Sequence, residues 1–82
     1  MVELRDADQS ALGHRVEQIW RDVLSAPDAS PEATFFELQG QSIAAVRIAA
    51  RIEDELGIQI DVGELFDDPS LTSFVRTVLA QA

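Results

Sequence analysis

At 82 residues, with a formal net charge of −9 and a pI near 4.2, the chain has room for one domain and one small core. Fifteen acidic residues against six basic ones exclude a nucleic-acid binder, because such binding depends on Lys and Arg neutralising phosphates. All the basic residues are arginine and there is no cysteine, which excludes a Schiff-base or P-loop lysine, a disulfide, a thiol nucleophile and a thiolate metal ligand.

Residues 1–9 are polar and acidic and are expected to form a flexible N-terminal segment, with the folded domain over residues 10–80. Asp8 or Ser10 is placed to cap a first helix in which Leu12, Val16, Ile19 and Val23 recur at helical spacing beside Trp20 and Leu24. Pro27 stops that helix soon after Ser25. The stretch "SAPDASPEATFFELQGQ" then makes a long join, and unstructured joins beyond about 12–15 residues are uncommon in compact domains unless they are functional. Phe35, Phe36 and Leu38 are expected to pin its second half against the helices.

The second helix is expected to open at Ser42 and stop at Gly57, a left-handed C-terminal cap with Ile58 folding back on Ile52. "IQID" alternates as a strand would but is too short to form one. Asp61 and Glu64 have the spacing of a capping box for a short third helix carrying Val62, Leu65 and Phe66. Ser70 caps a last helix whose Leu71, Phe74, Val75, Val78 and Leu79 form a clear amphipathic stripe. The expected fold is all-α: a four-helix bundle of three longer helices and a short third one, with a long first loop.

Successive residues turn about 100° around a helix, which divides the second helix into faces. Ala45, Ile48, Ala49, Ile52 and Leu56 form a core face; Arg47, Arg51, Asp54 and Glu55 form a solvated one. Ile43, Val46 and Ala50 make a further apolar stripe on the far side from the core. Three readings of it stand: loop residues such as Phe36 cover it, it is ordinary scattered surface apolarity, or it is a docking surface for a partner protein.

Catalysis by this chain alone is not expected. His14 is the only histidine and reads as a helix-surface residue, and the carboxylates lack calcium-loop or zinc-site spacing, so no metal is expected. Ser42 has two readings. It is a helix N-cap, or it is an attachment point for a phosphodiester, which the unpaired N–H groups and partial positive charge of a helix start would stabilise. Gly40 would let the backbone approach closely. No base stands nearby to activate the hydroxyl, so another enzyme would have to modify it.

"FFELQGQSI", followed by "AARIEDELGIQIDVGELFDDPSLTSFV", resembles the thiolation (peptidyl carrier) domains of nonribosomal peptide synthetases within the acyl carrier protein superfamily. The resemblance runs from Ile19–Trp20 to Leu79 and rests on Leu38, Gly40, Ser42, Ile43, Leu56-Gly57, Leu65-Phe66 and Pro69 in order. It implies that Ser42 accepts 4′-phosphopantetheine from coenzyme A through a separate phosphopantetheinyl transferase. The arm's thiol would then carry an aminoacyl or peptidyl thioester, in antibiotic or siderophore biosynthesis for example, between an adenylation or other loading enzyme and condensation or tailoring domains. It also implies that the helix after the serine meets partners, with Gln41, Ile43, Val46, Arg47 and Ala50 as docking residues and Leu65 and Phe66 as extensions of that surface or as core.

Two letters depart from the family pattern: Gln39 replaces the first of two glycines, and Gln41 replaces a His or Asp before the serine. An acyl carrier of polyketide or fatty-acid synthesis is the near alternative, and an unmodified helical interaction module the distant one. No apolar run approaches the roughly 20 residues that span a bilayer. The N-terminus is no signal peptide, so a cytoplasmic monomer with no membrane partner is expected.

Overall fold

A computed structural model describes residues 6–82 and contains four helices: α1 (Asp6–Leu24), α2 (Ser42–Leu56), α3 (Gly63–Phe66) and α4 (Leu71–Ala80). Among the described residues there is no strand, only an isolated bridge between Thr34 and Ser70. The all-α expectation holds, with the helix count and the short third helix as read from the sequence. α1 starts earlier than expected. Asp6–Gln9 are already helical, so Asp8 and Ser10 lie inside the helix and not at its cap; residues 1–5 of the expected flexible segment lie outside the described part.

Each helix contributes one apolar face to a single core. Val16, Ile19 and Trp20 come from α1, Ala45, Ile48 and Ile52 from α2, Leu65 from α3, and Leu71, Phe74 and Val78 from α4. Trp20 is the hub: its ring packs edge-on to Phe35 at 6.0 Å and tilted against Phe74 at 5.4 Å. Aromatic pairs in such geometries add about 0.5–1.5 kcal/mol beyond the area they bury. The ends of the helices follow local chemistry. Ser25 takes φ 52° after α1. Gly57, at φ 70°, closes α2 by donating its N–H to the Glu53 carbonyl, and Ile58 turns back into the same buried cluster as Ile52.

α3 begins differently from the expected capping box. The Asp61 carboxylate accepts from the Gly63 N–H at 2.9 Å, and the Glu64 carboxylate, instead of reaching back, accepts from Gln81 Nε2 at 3.2 Å. Leu65 points inward and is fully buried, so its expected docking role is corrected to a core one, while Phe66 remains 46% exposed. An ion-pair network ties α2 to α1. Glu55 accepts from Arg15 and Arg51, each at 2.8 Å, and Arg51 also lies 3.5 Å from Asp22. These donors, Arg51 first, hold the Glu55 carboxyl below the usual carboxylate range.

The long first loop is held by its second half. Phe35 donates its N–H to the Pro69 carbonyl at 2.9 Å, Phe36 donates to Asp68 Oδ1 at 2.8 Å, and Leu71 donates to the Ala33 carbonyl at 3.3 Å. The loop is therefore stitched to the α3–α4 connection. Phe35 is the anchor, fully buried, and Leu38 packs partly buried beside the core. Phe36 is not an anchor: it stays half exposed.

Candidate functional site

α2 starts where the loop has just been turned. Gln39 adopts φ 65°, in the left-handed region, and Gly40 follows with its N–H donated to the Phe35 carbonyl at 2.8 Å. A Cβ on Gly40 would stand 2.5 Å from the Phe35 ring. The glycine is thus demanded from below, by the buried phenylalanine, and not by an approaching ligand as the sequence reading had it. Phe35 and Gly40 together fix the level at which Ser42 emerges.

Ser42 is not the N-cap. Gln41 occupies that position with extended φ −132° and ψ 175°, and its side chain makes no capping bond. The first intrahelical bond runs from the Ala45 N–H to the Gln41 carbonyl at 2.9 Å. Ser42 is therefore the first helical residue. Its side chain is exposed, and its hydroxyl has no hydrogen-bond partner among the described residues. The N–H groups of Ser42, Ile43 and Ala44 precede that first bond, and none of them finds a partner among the described residues either. No acidic residue lies in the first turn. The result is an exposed nucleophilic oxygen at the positive end of a fifteen-residue helix with unengaged donors around it.

The second apolar stripe is uncovered. Ile43 is 71% exposed and Val46 54%, and Ala50 is exposed as well, so Phe36 does not shield them. Arg47 is exposed at the edge of the stripe. Its neighbours one helical turn away are Ile43, Ala44, Ala50 and Arg51, none acidic, and it makes no ion pair among the described residues. Two shallow depressions flank Ile43. One, about 240 Å³, is lined by Ser42, Ile43, Val46 and Arg47. The other, also about 240 Å³, is lined by Val23, Gln39, Gln41, Ile43, Ala44 and Arg47. The structure thus brings together the expected Gln41, Ser42, Ile43, Val46, Arg47 and Ala50, leaves Phe66 exposed on α3, and removes Leu65. Sequence reasoning missed the left-handed turn at Gln39.

The described residues thus form a small helical domain with one unengaged serine at the start of a helix, beside an open apolar stripe. Residues 14–78 match the family described as the phosphopantetheine attachment site, and the chain belongs to that family. Among curated relatives, it is 36% identical over 67 residues to phosphinothricin tripeptide synthetase PhsC of Streptomyces viridochromogenes, covering 82% of this chain and 6% of that protein. It is 39% identical over 64 residues to malpibaldin synthetase of Mortierella alpina, covering 78% of this chain and 1% of that protein. It is 33% identical to pyochelin synthetase PchE of Pseudomonas aeruginosa, covering 78% of this chain and 4% of that protein. The chain therefore spans a small fraction of the length of these relatives. Its fold is that of BlmI, a type-II acyl-carrier-protein from Streptomyces verticillus involved in bleomycin biosynthesis, with a TM-score of 0.77, 24% identity, and 90% and 89% of the two chains covered.

The group this family attaches is 4′-phosphopantetheine. The start of α2 fits a phosphodiester: an accessible hydroxyl, unpaired N–H donors and no carboxylate in the first turn. Among the described residues no group of three His, Cys, Asp or Glu could hold a metal ion, and no helix is long and apolar enough to cross a membrane.

Proposed function

We propose that this chain is a non-catalytic carrier in nonribosomal peptide assembly, with 4′-phosphopantetheine on Ser42 Oγ. The observation that carries the reading is the serine hydroxyl left unengaged at the first position of α2 while Gln41 takes the cap. In the loading step the Ser42 oxygen attacks the phosphorus of coenzyme A that bears pantetheine. The Oγ–P bond forms as the pyrophosphate link breaks, 3′,5′-ADP leaves, and the hydroxyl proton passes to a base of a separate phosphopantetheinyl transferase. The described residues place no His, Asp or Glu in the first turn of α2 to act as that base.

The unpaired N–H groups and the helix dipole then favour the phosphodiester anion. The arm's thiol supplies the thioester chemistry, carrying an aminoacyl or peptidyl group from an adenylation enzyme to condensation or tailoring domains. The exposed Ile43–Val46–Ala50 stripe, with Arg47 at its edge, meets those partners, and the exposed Phe66 on α3 is a further docking residue. The three synthetases named above, among those to which the chain is similar, favour a peptidyl cargo over the fatty-acid or polyketide one.

The test is intact mass after incubation with coenzyme A and a broad-specificity transferase. The native chain is expected to gain one phosphopantetheine and the Ser42→Ala variant none. An unchanged native mass with several active transferases overturns the reading. The stripe has its own test: Val46→Asp is expected to slow loading or downstream transfer while the melting temperature stays near the native value, and a collapsed melt would make Val46 a core residue.

A further inference from the structure

Resting on that attachment reading, we propose that the depression beside Val23, Gln39, Gln41 and Ala44 is a resting site for the amide-bearing part of the Ser42-linked arm, with the two glutamines as its recognition groups. The cleft lies next to the attachment point: Gln41 and Ile43, the neighbours of Ser42 on either side, both line it, and the arm reaches it by passing over Ile43 from the depression that Ser42 itself lines. From the phosphate outward, pantetheine carries a geminal dimethyl group, a hydroxyl, two amides and a thiol. The cleft offers apolar walls from Val23, Ile43 and Ala44, and two carboxamides that each donate and accept hydrogen bonds. Neither glutamine side chain has a partner among the described residues, and both residues are exposed.

Gln39 adds an independent observation. It keeps a long polar side chain at φ 65°, a conformation that costs a non-glycine residue and that glycine would adopt freely. Its side chain lines the same cleft as Gln41, and a bound arm would account for a glutamine there. The depression on the other side of Ile43, lined by Ser42, Val46 and Arg47, offers the Arg47 donors to amide carbonyls but has no carboxamide to accept from the arm's amide N–H groups. Placing the arm on the glutamine side also leaves the Val46 stripe open to a partner. The cleft is shallow and at about 240 Å³ lies below the usual range for ligand pockets, so the arm is held weakly and leaves when a partner active site takes it.

The experiment compares isotope-labelled apo protein with the form loaded from coenzyme A, after mass has established one added phosphopantetheine. Filtered NOE spectra are expected to connect the arm's geminal methyls and amide protons to Val23, Ala44 and the Gln39 and Gln41 side-chain NH2 groups. In the Gln39→Gly/Gln41→Ala variant the mass gain persists and those NOEs are lost. NOEs confined to the immediate neighbours of Ser42, NOEs to Val46 instead, or NOEs that survive in the double variant each overturn the cleft while leaving the attachment intact. A native chain that gains no mass overturns the attachment and the cleft together.

Discussion

Ser42 and Ser70 both stand at the start of a helix, one residue apart in register. Ser70 precedes α4, takes extended φ −73° and ψ 164°, and its hydroxyl accepts from the Ser73 N–H at 3.1 Å. Ser42 lies one position further in, as the first residue of α2, and its hydroxyl accepts nothing among the described residues. The same side chain is thus committed to stability at one helix and available for chemistry at the other. What separates them is the preceding loop. Ser70 caps its helix through a local bond, whereas the start of α2 is set from a distance by Phe35 beneath Gly40.

The largest effect is expected where that distant support is removed. Phe35→Ala should cost about 3–5 kcal/mol in urea unfolding, since it deletes a fully buried ring packed on Trp20. A loss below about 1 kcal/mol would mean that the loop, and with it the level of Ser42, is held by its backbone bonds alone. Next come the two serines themselves. Ser70→Ala should cost about 1 kcal/mol by loss of a cap and leave modification intact. Ser42→Ala should leave stability within about 0.5 kcal/mol and abolish modification.

Gln39→Gly should gain about 0.5–1 kcal/mol: relief of a left-handed non-glycine residue outweighs the extra freedom of the unfolded chain. Destabilisation in the same urea titration would show the side chain to be structural.

How much of this could be read in advance follows the range of the interactions. The core and outer stripes of α2 were legible, because fifteen residues give the helical period room to separate them. Ser70 was legible because a cap is a local pattern. The attachment role of Ser42 came only from the family resemblance, and its place as first helical residue instead of cap was not legible, since the two differ by one residue and helix ends are set less finely than that. Leu65 and Phe66 are adjacent in a four-residue helix, too short for periodicity to tell the buried one from the exposed one. The bonds from Phe35 and Phe36 to Pro69 and Asp68 join residues over thirty positions apart, and the seating of the Phe35 ring under Gly40 depends on them; no local pattern announces either.

The smallest expected effect concerns the far end of α2, where Glu55 joins α1 through Arg15 and Arg51. Its folded-state carboxyl is depressed, first by Arg51 and then by Arg15, so its contribution is present above the ordinary carboxylate range and is lost as pH falls through the lowered value. The gap in urea midpoint between the native chain and Glu55→Gln should accordingly be present at neutral pH and close on acidification. A gap that widens toward acid would contradict the assignment. Exposed pairs of this kind add little, so the start of α2 should stay where Phe35 sets it.

The central claim is that Ser42, among six serines, is the one offered for attachment. Cleavage after arginine releases residues 22–47, which hold Ser25, Ser30 and Ser42, and fragmentation of that peptide from the loaded protein assigns the added group to one of them. The account predicts the phosphopantetheine on Ser42 alone. Finding it on Ser25 or Ser30, or on the peptide carrying Ser70 and Ser73, would contradict it.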